Sequence, residues 1–133
     1  MAAGYSGTPL AKKLGLKPGQ SAWFSGMPAS VRAEIGETGV VECAAPIEGL
    51  DAAHVFVTER AELKRFLADL RHRLAPNGAF WVSWPKKAAK VPTEVTEDVI
   101  RELALPLGWV DVKVCAVDET WSGLKLVIRK ELR

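Results

Sequence analysis

Chemistry needs particular side chains within reach of one another, and this chain offers few such groupings. Cys43 and Cys115 are its only cysteines and His54 and His72 its only histidines, with no close spacing that makes a zinc site or a disulfide framework. His54 is expected to open a strand at the end away from any site, and His72 to close a helix where a cation answers the dipole. Both cysteines fall in expected strands, as small buried hydrophobes. Glu59 and Arg60 have the types for acid-base or anion-holding work, but no base or nucleophile is spaced to join them. Lys86, Lys87 and Lys90 beside Trp84 combine charge with an aromatic ring, suited to a phosphate or a nucleic-acid strand, or to a solvated loop. The fullest grouping is Ser25, Gly26, Met27, Thr58, Glu59, Trp84, Asp118, Glu119 and Trp121. Brought together, they form a cleft for a planar or amphipathic ligand, with tryptophan rings as walls. Read structurally, Thr58 caps a helix, Glu59 answers its dipole and the tryptophans pack on each other or on loops.

The elements that would position these residues follow from periodicity and punctuation. Thr8-Pro9 starts a short helix that Gly15 stops. Ser21–Ser25 is a strand, and Val31 with Ile35 gives a small helix ending at Gly36. Gly39–Cys43 and His54–Val57 are further strands, the former expected to be covered on both faces. Leu63, Phe66, Leu67, Leu70 and Leu74 form one apolar stripe on a helix capped by Thr58, with Arg71, His72 and Arg73 in its last turn. Pro76-Asn77-Gly78 is expected to turn the chain into a strand at Ala79–Trp84, which Pro85 ends. Val95, Val99, Leu103 and Leu107 mark another helix, which frays before Pro106 and exits at Gly108. Alternation over Val110–Ala116 and Leu124–Ile128 gives a closing hairpin. Of the five tryptophans, Trp23 and Trp81 are expected in the core.

Strands alternating with helices imply a three-layer, doubly wound α/β sheet of about six mostly parallel strands, with the hairpin adding an antiparallel one. Ligands of such sheets sit beyond the strand carboxyl ends, near the reversal of strand order. That edge nominates the grouping above. The chain has 133 residues, 48% hydrophobic and 26% charged, so one domain over residues 1–133 is expected. Its net charge of +2 disfavours nucleic acid as a partner. No apolar run is long enough for a membrane span, Met1–Gly7 does not look like a leader, and two cysteines suit a reducing cytoplasm.

The segment Leu74-Ala75-Pro76-Asn77-Gly78-Ala79-Phe80-Trp81-Val82 resembles the turn and strand "L-x-P-G-G-x-x-x-V" of Rossmann-like class I methyltransferases. Gly108–Val112 and Leu126–Arg129 are similar to the closing hairpin of that fold, so the resemblance covers roughly residues 51 to 133. Tyr5–Gly15 and Asp118–Lys125 resemble a group of short bacterial proteins known only as a domain of unknown function. The methyltransferase resemblance implies a glycine loop after the first strand, where only Gly26 stands, followed by Met27 and Pro28. It also implies an acidic residue after the second strand for ribose hydroxyls, which Glu42 matches, and a further strand-helix unit between residues 44 and 51 that the sequence lacks. The expectation is therefore a non-catalytic module that binds a small molecule or a protein through a degenerate loop, with no cofactor. The alternatives are a minimal methyltransferase using S-adenosylmethionine and, third, a weak nucleic-acid binder at Trp84 and Lys86 to Lys90. Oligomeric state is left open.

Overall fold

Residues 8–133 are described in a computed structural model. Met1–Gly7, including the Tyr5–Gly7 part of the opening motif and the segment read for a leader, lies outside the described residues. Among the described residues the sheet has six strands: β1 (Ser21–Ser25), β2 (Val41–Glu42), β3 (Leu50–Phe56), β4 (Leu74–Pro85), β5 (Trp109–Ala116) and β6 (Trp121–Ile128). Their order across the sheet is β2-β1-β3-β4-β6-β5. β2, β1, β3 and β4 pair in parallel, and β6 inserts antiparallel between β4 and β5. This is the doubly wound sheet with a terminal hairpin that the sequence implies. The helices are α1 (Leu10–Lys13), α2 (Ala29–Ile35), α3 (Arg60–Arg73) and α4 (Glu97–Ala104).

Each sheet face has its own core. Leu63, Leu67 and Leu70 of α3 and Ile100 and Ala104 of α4 pack with Val55, Phe80, Val82, Trp84, Leu124 and Leu126. On the other face Leu10 and Leu14 join Val31, Phe56, Trp81 and Val117. Fully burying each leucine of the α3 stripe contributes roughly 1.5–3 kcal/mol, enough to fix that helix on the sheet. One tryptophan tethers a helix to each face: Trp109 Nε1 donates to the Leu67 carbonyl and Trp81 Nε1 to the Leu14 carbonyl, both at 3.1 Å. Trp23 is only partly buried, set edge-on to Phe66 with ring centroids 5.6 Å apart.

Several local expectations change. β2 is two residues long, and its Val41 is 61% exposed because β2 forms the sheet edge. Pro76-Asn77-Gly78 lies within β4 at a register irregularity against β3, where a free turn was expected. Thr58 does not cap α3: Glu59 holds the N-cap position, and the Thr58 carbonyl accepts from Glu94 N and Thr93 Oγ1. The capping threonine is Thr96, whose Oγ1 accepts from Val99 N at the start of α4. The helix ends before Pro106, and Gly108 makes a left-handed exit at φ 98°.

Candidate functional site

Strand order reverses between β1 and β3, because the chain leaves β1 toward β2 on one side and later builds outward from β3 on the other. Ligand clefts of doubly wound sheets open at the carboxyl ends of such a pair. Ser25 ends β1 there, and Gly26 turns the chain at φ 69°. A side chain on Gly26 would place its Cβ 3.1 Å from the Phe56 carbonyl oxygen at the end of β3. Both the backbone angle and this close approach require glycine. Pro28 follows as the N-cap of α2, a position that supplies no backbone N–H.

Glu42 ends β2, in register with Ala22 of β1. Arg32, within α2, donates to both its carboxylate oxygens, at 2.7 and 3.1 Å. That hydrogen bonding holds the Glu42 carboxyl below the usual carboxylate range, so the group stays ionised at neutral pH. The Arg32 guanidinium also lies 5.7 Å from the Phe24 ring centroid. Met27, Arg32, Ile35 and Glu42 border a cleft of about 60 Å³. Met27 and Glu42 are thus brought together, whereas Gly26 lies at the other end of β1 from the Ala22–Glu42 pair. Arg32, the residue that controls Glu42, was not singled out in the sequence. Its sign, opposite to Glu42, and its place one turn into the helix after the Gly26 turn were the available signals.

The other nominated residues go elsewhere. Thr58 and Glu59 line a separate shallow cleft of about 480 Å³ with Pro92, Thr93 and Glu94. Trp84 and Trp121 do not share a wall. Trp84 is buried in the α3–α4 core, whereas Trp121, paired with Pro85, faces the opposite side and meets Phe56 edge-on at 5.2 Å. Asp118 shapes the β5–β6 turn, its Oδ1 accepting from Thr120 N at 2.8 Å and Trp121 N at 2.7 Å. Glu119, in the same turn, is exposed. Lys86 and Lys87 lead into a short 3₁₀ turn that Lys90 ends, and all are solvent-facing or nearly so.

His54 departs most from expectation. It lies inside β3 near the carboxyl end, fully buried, its ring stacked on Phe56 at 4.4 Å and its Nε2 2.7 Å from Ser83 Oγ on β4. Burial pushes its pKa down to about 3, so the ring is neutral. Among the described residues its Nδ1 has no hydrogen-bond partner.

Methyltransferases are among the solved structures that share this fold. A SAM-dependent methyltransferase from Aquifex aeolicus matches at TM-score 0.63 and 17% identity over 88% of this chain and 86% of that one. A protein from Sulfolobus solfataricus assigned as a type 11 methyltransferase matches at TM-score 0.61 and 12% identity over 97% and 95%. Fibrillarin from Aeropyrum pernix, with natively bound S-adenosyl-L-methionine, matches at 0.60 and 14% over 89% and 73%. No sequence family and no curated protein matches the chain. At these identities the likeness establishes the methyltransferase-like Rossmann scaffold. The expectation of a non-catalytic module is corrected by these matches, which favour its methyltransferase alternative.

Proposed function

We propose that this chain is a minimal S-adenosylmethionine-dependent methyltransferase with its cofactor at the carboxyl ends of β1 and β2. The observation that carries the reading is the Gly26 turn out of β1 at the point where strand order reverses, with Met27 after it and Glu42 of the neighbouring strand bordering one cleft, on a scaffold shared with solved methyltransferases. When bound, the cofactor supplies an electrophilic methyl group for a nucleophile on the substrate. Glu42 would hold the ribose hydroxyls, being an ionised acceptor with two oxygens. Gly26 would let the backbone come close to the cofactor without a side chain in the way. Helix-dipole help is small here, because α2 is short and begins after Pro28.

The residues fit the cofactor in kind, and its binding requires Arg32 to move. A cleft of about 60 Å³ holds about two waters, and both Glu42 oxygens are engaged by Arg32. That ion pair is close to half exposed, and such pairs contribute only about 0–1 kcal/mol, so swinging Arg32 into solvent costs little beside the hydrogen bonds gained. A setting in the bacterial cytoplasm, one domain across the chain, and a small molecule or protein as methyl acceptor complete the proposal.

Titration calorimetry with S-adenosylmethionine tests it. The native chain is expected to bind, Glu42→Ala to bind at least about tenfold more weakly, and Arg32→Ala to bind more tightly because it frees the carboxylate. Equal affinity in the native and Glu42→Ala chains would overturn the assignment.

A further inference from the structure

Away from the strand carboxyl ends, the face covered by α1 gathers positive charge that no ion pair among the described residues neutralises. Lys113 on β5 and Lys125 on β6 are direct cross-strand partners. Like charges so placed repel and weaken the pairing. Lys125 in turn pairs with Trp81, and the Lys113 Nζ lies 5.8 Å from the Trp81 ring centroid. Trp81 Nε1 donates to the Leu14 carbonyl, so the end of α1 is pinned over the same tryptophan, with Lys13 before Leu14 and Lys17 after it. Among the described residues, none of Lys12, Lys13, Lys17, Lys113 and Lys125 forms an ion pair with a carboxylate. Burial lowers the pKa of Lys125, and the charges of Lys113 and Lys17 act in the same direction.

Lysines elsewhere among the described residues also lack ion pairs, and what distinguishes this group is the direct cross-strand placement of Lys113 against Lys125 beside Trp81. Arg32, Arg60, Arg73, Arg101 and Arg129 each have a carboxylate partner. Of the lysines in this group, Lys12 and Lys17 line a cleft of about 310 Å³ with Pro9, Ala11, Leu16, Glu37 and Thr38. That volume lies at the lower end of small-molecule sites, and its apolar wall beside two ammonium groups suits a ligand with an uncharged body and a strongly anionic head. Lysine ammonium groups serve as point charges for phosphate, and a like-charged cluster kept at a cost in stability is relieved when such an anion binds.

We propose that Lys13, Lys17, Lys113 and Lys125 form a binding site for a small diphosphate-bearing ligand whose uncharged body lies in the adjoining cleft. The cleft borders the one at Glu42, sharing Thr38 with it, but the proposal does not rest on the methyl-transfer reading.

The test compares the melting temperature of the full chain in inorganic pyrophosphate with that in sulfate at equal ionic strength. Pyrophosphate is expected to raise it by several degrees more than sulfate does. Lys125→Met keeps the side chain's apolar stem and removes its charge; the variant is expected to melt no lower than the native chain without ligand and to lose the pyrophosphate-specific shift. Lys113→Met, at an exposed position, is the second variant and should behave the same way. Adenosine diphosphate should bind at least about tenfold more tightly than pyrophosphate by calorimetry, because its body adds buried area in the cleft. A native shift no larger than with sulfate, or a shift that persists in both variants, would overturn the site. Equal affinity for pyrophosphate and adenosine diphosphate would overturn the part played by the cleft.

Discussion

His54 and Glu42 illustrate how burial decides what a titratable group can do. His54 is enclosed between Phe56, Trp81 and Ser83, and its orphaned Nδ1 is least costly as a bare lone pair, which places the hydrogen on Nε2 for donation to Ser83 Oγ. Its pKa of about 3 when folded lies below the ordinary value of 6.5, so the unfolded chain takes up the proton first. The contribution of the neutral ring is full above the unfolded value and is lost as pH falls from there toward 3. At pH 5 the loss is about 2 kcal/mol. Glu42 and Asp111 have lowered pKa values, and their contributions are present above the unfolded carboxylate range and fade only below it. Urea denaturation from pH 7 to pH 5 should therefore show falling stability in the native chain and a nearly flat profile in His54→Met. A native profile flat over that window would contradict the buried-neutral assignment. His54 was misplaced from sequence because its strand begins at Leu50 rather than at His54, and only pairing with β4 reveals Ser83 as its partner.

At the scale of elements, caps and close approaches carry the sharper predictions. Thr96→Ala removes the side-chain acceptor for Val99 N and should lower stability by about 1 kcal/mol in chemical denaturation. Gly123 is paired with Ser83, and a Cβ there would lie 3.1 Å from Val117 Cγ2, 3.2 Å from the Trp81 ring and 3.3 Å from Ser83 Oγ. Gly123→Ala should cost roughly 1–3 kcal/mol by overpacking, whereas an ordinary exposed strand glycine would gain from the change. A stabilised variant would contradict this packing. The apolar run marked β1 although only its Ala22 is buried, and β5 alternates although Val112 and Val114 are exposed; periodicity made the α3 stripe and β6 legible, since each buries one regular face. It did not reveal that β2 is an open edge or that Pro76-Asn77-Gly78 runs within a strand, because both depend on which strand lies alongside. Trp84 and Trp121 show the same limit: their opposite faces follow from the Pro85–Trp121 register, which neither segment contains alone.

For the whole molecule, the alternation of elements along the chain was enough to imply the doubly wound sheet, and the Gly26 turn marked where β1 ends. The charge state at Glu42 was not legible, because Arg32 meets Glu42 only after α2 folds back across β1 and β2. Nor did the whole-chain charge of +2 disclose the lysines gathered on the α1 face. The methyltransferase reading joins the reversal point, Gly26 and Glu42 into one claim: this reduced scaffold still takes up S-adenosylmethionine. The most direct test is the melting temperature of the full chain with and without a saturating excess of that cofactor. At a hundred times its dissociation constant, a ligand bound only by the folded chain stabilises by about 2.7 kcal/mol, or roughly ten degrees for a domain of this size. A shift of that order, diminished in Glu42→Ala, is the predicted result; a cooperative melt unmoved by the cofactor would contradict the reading.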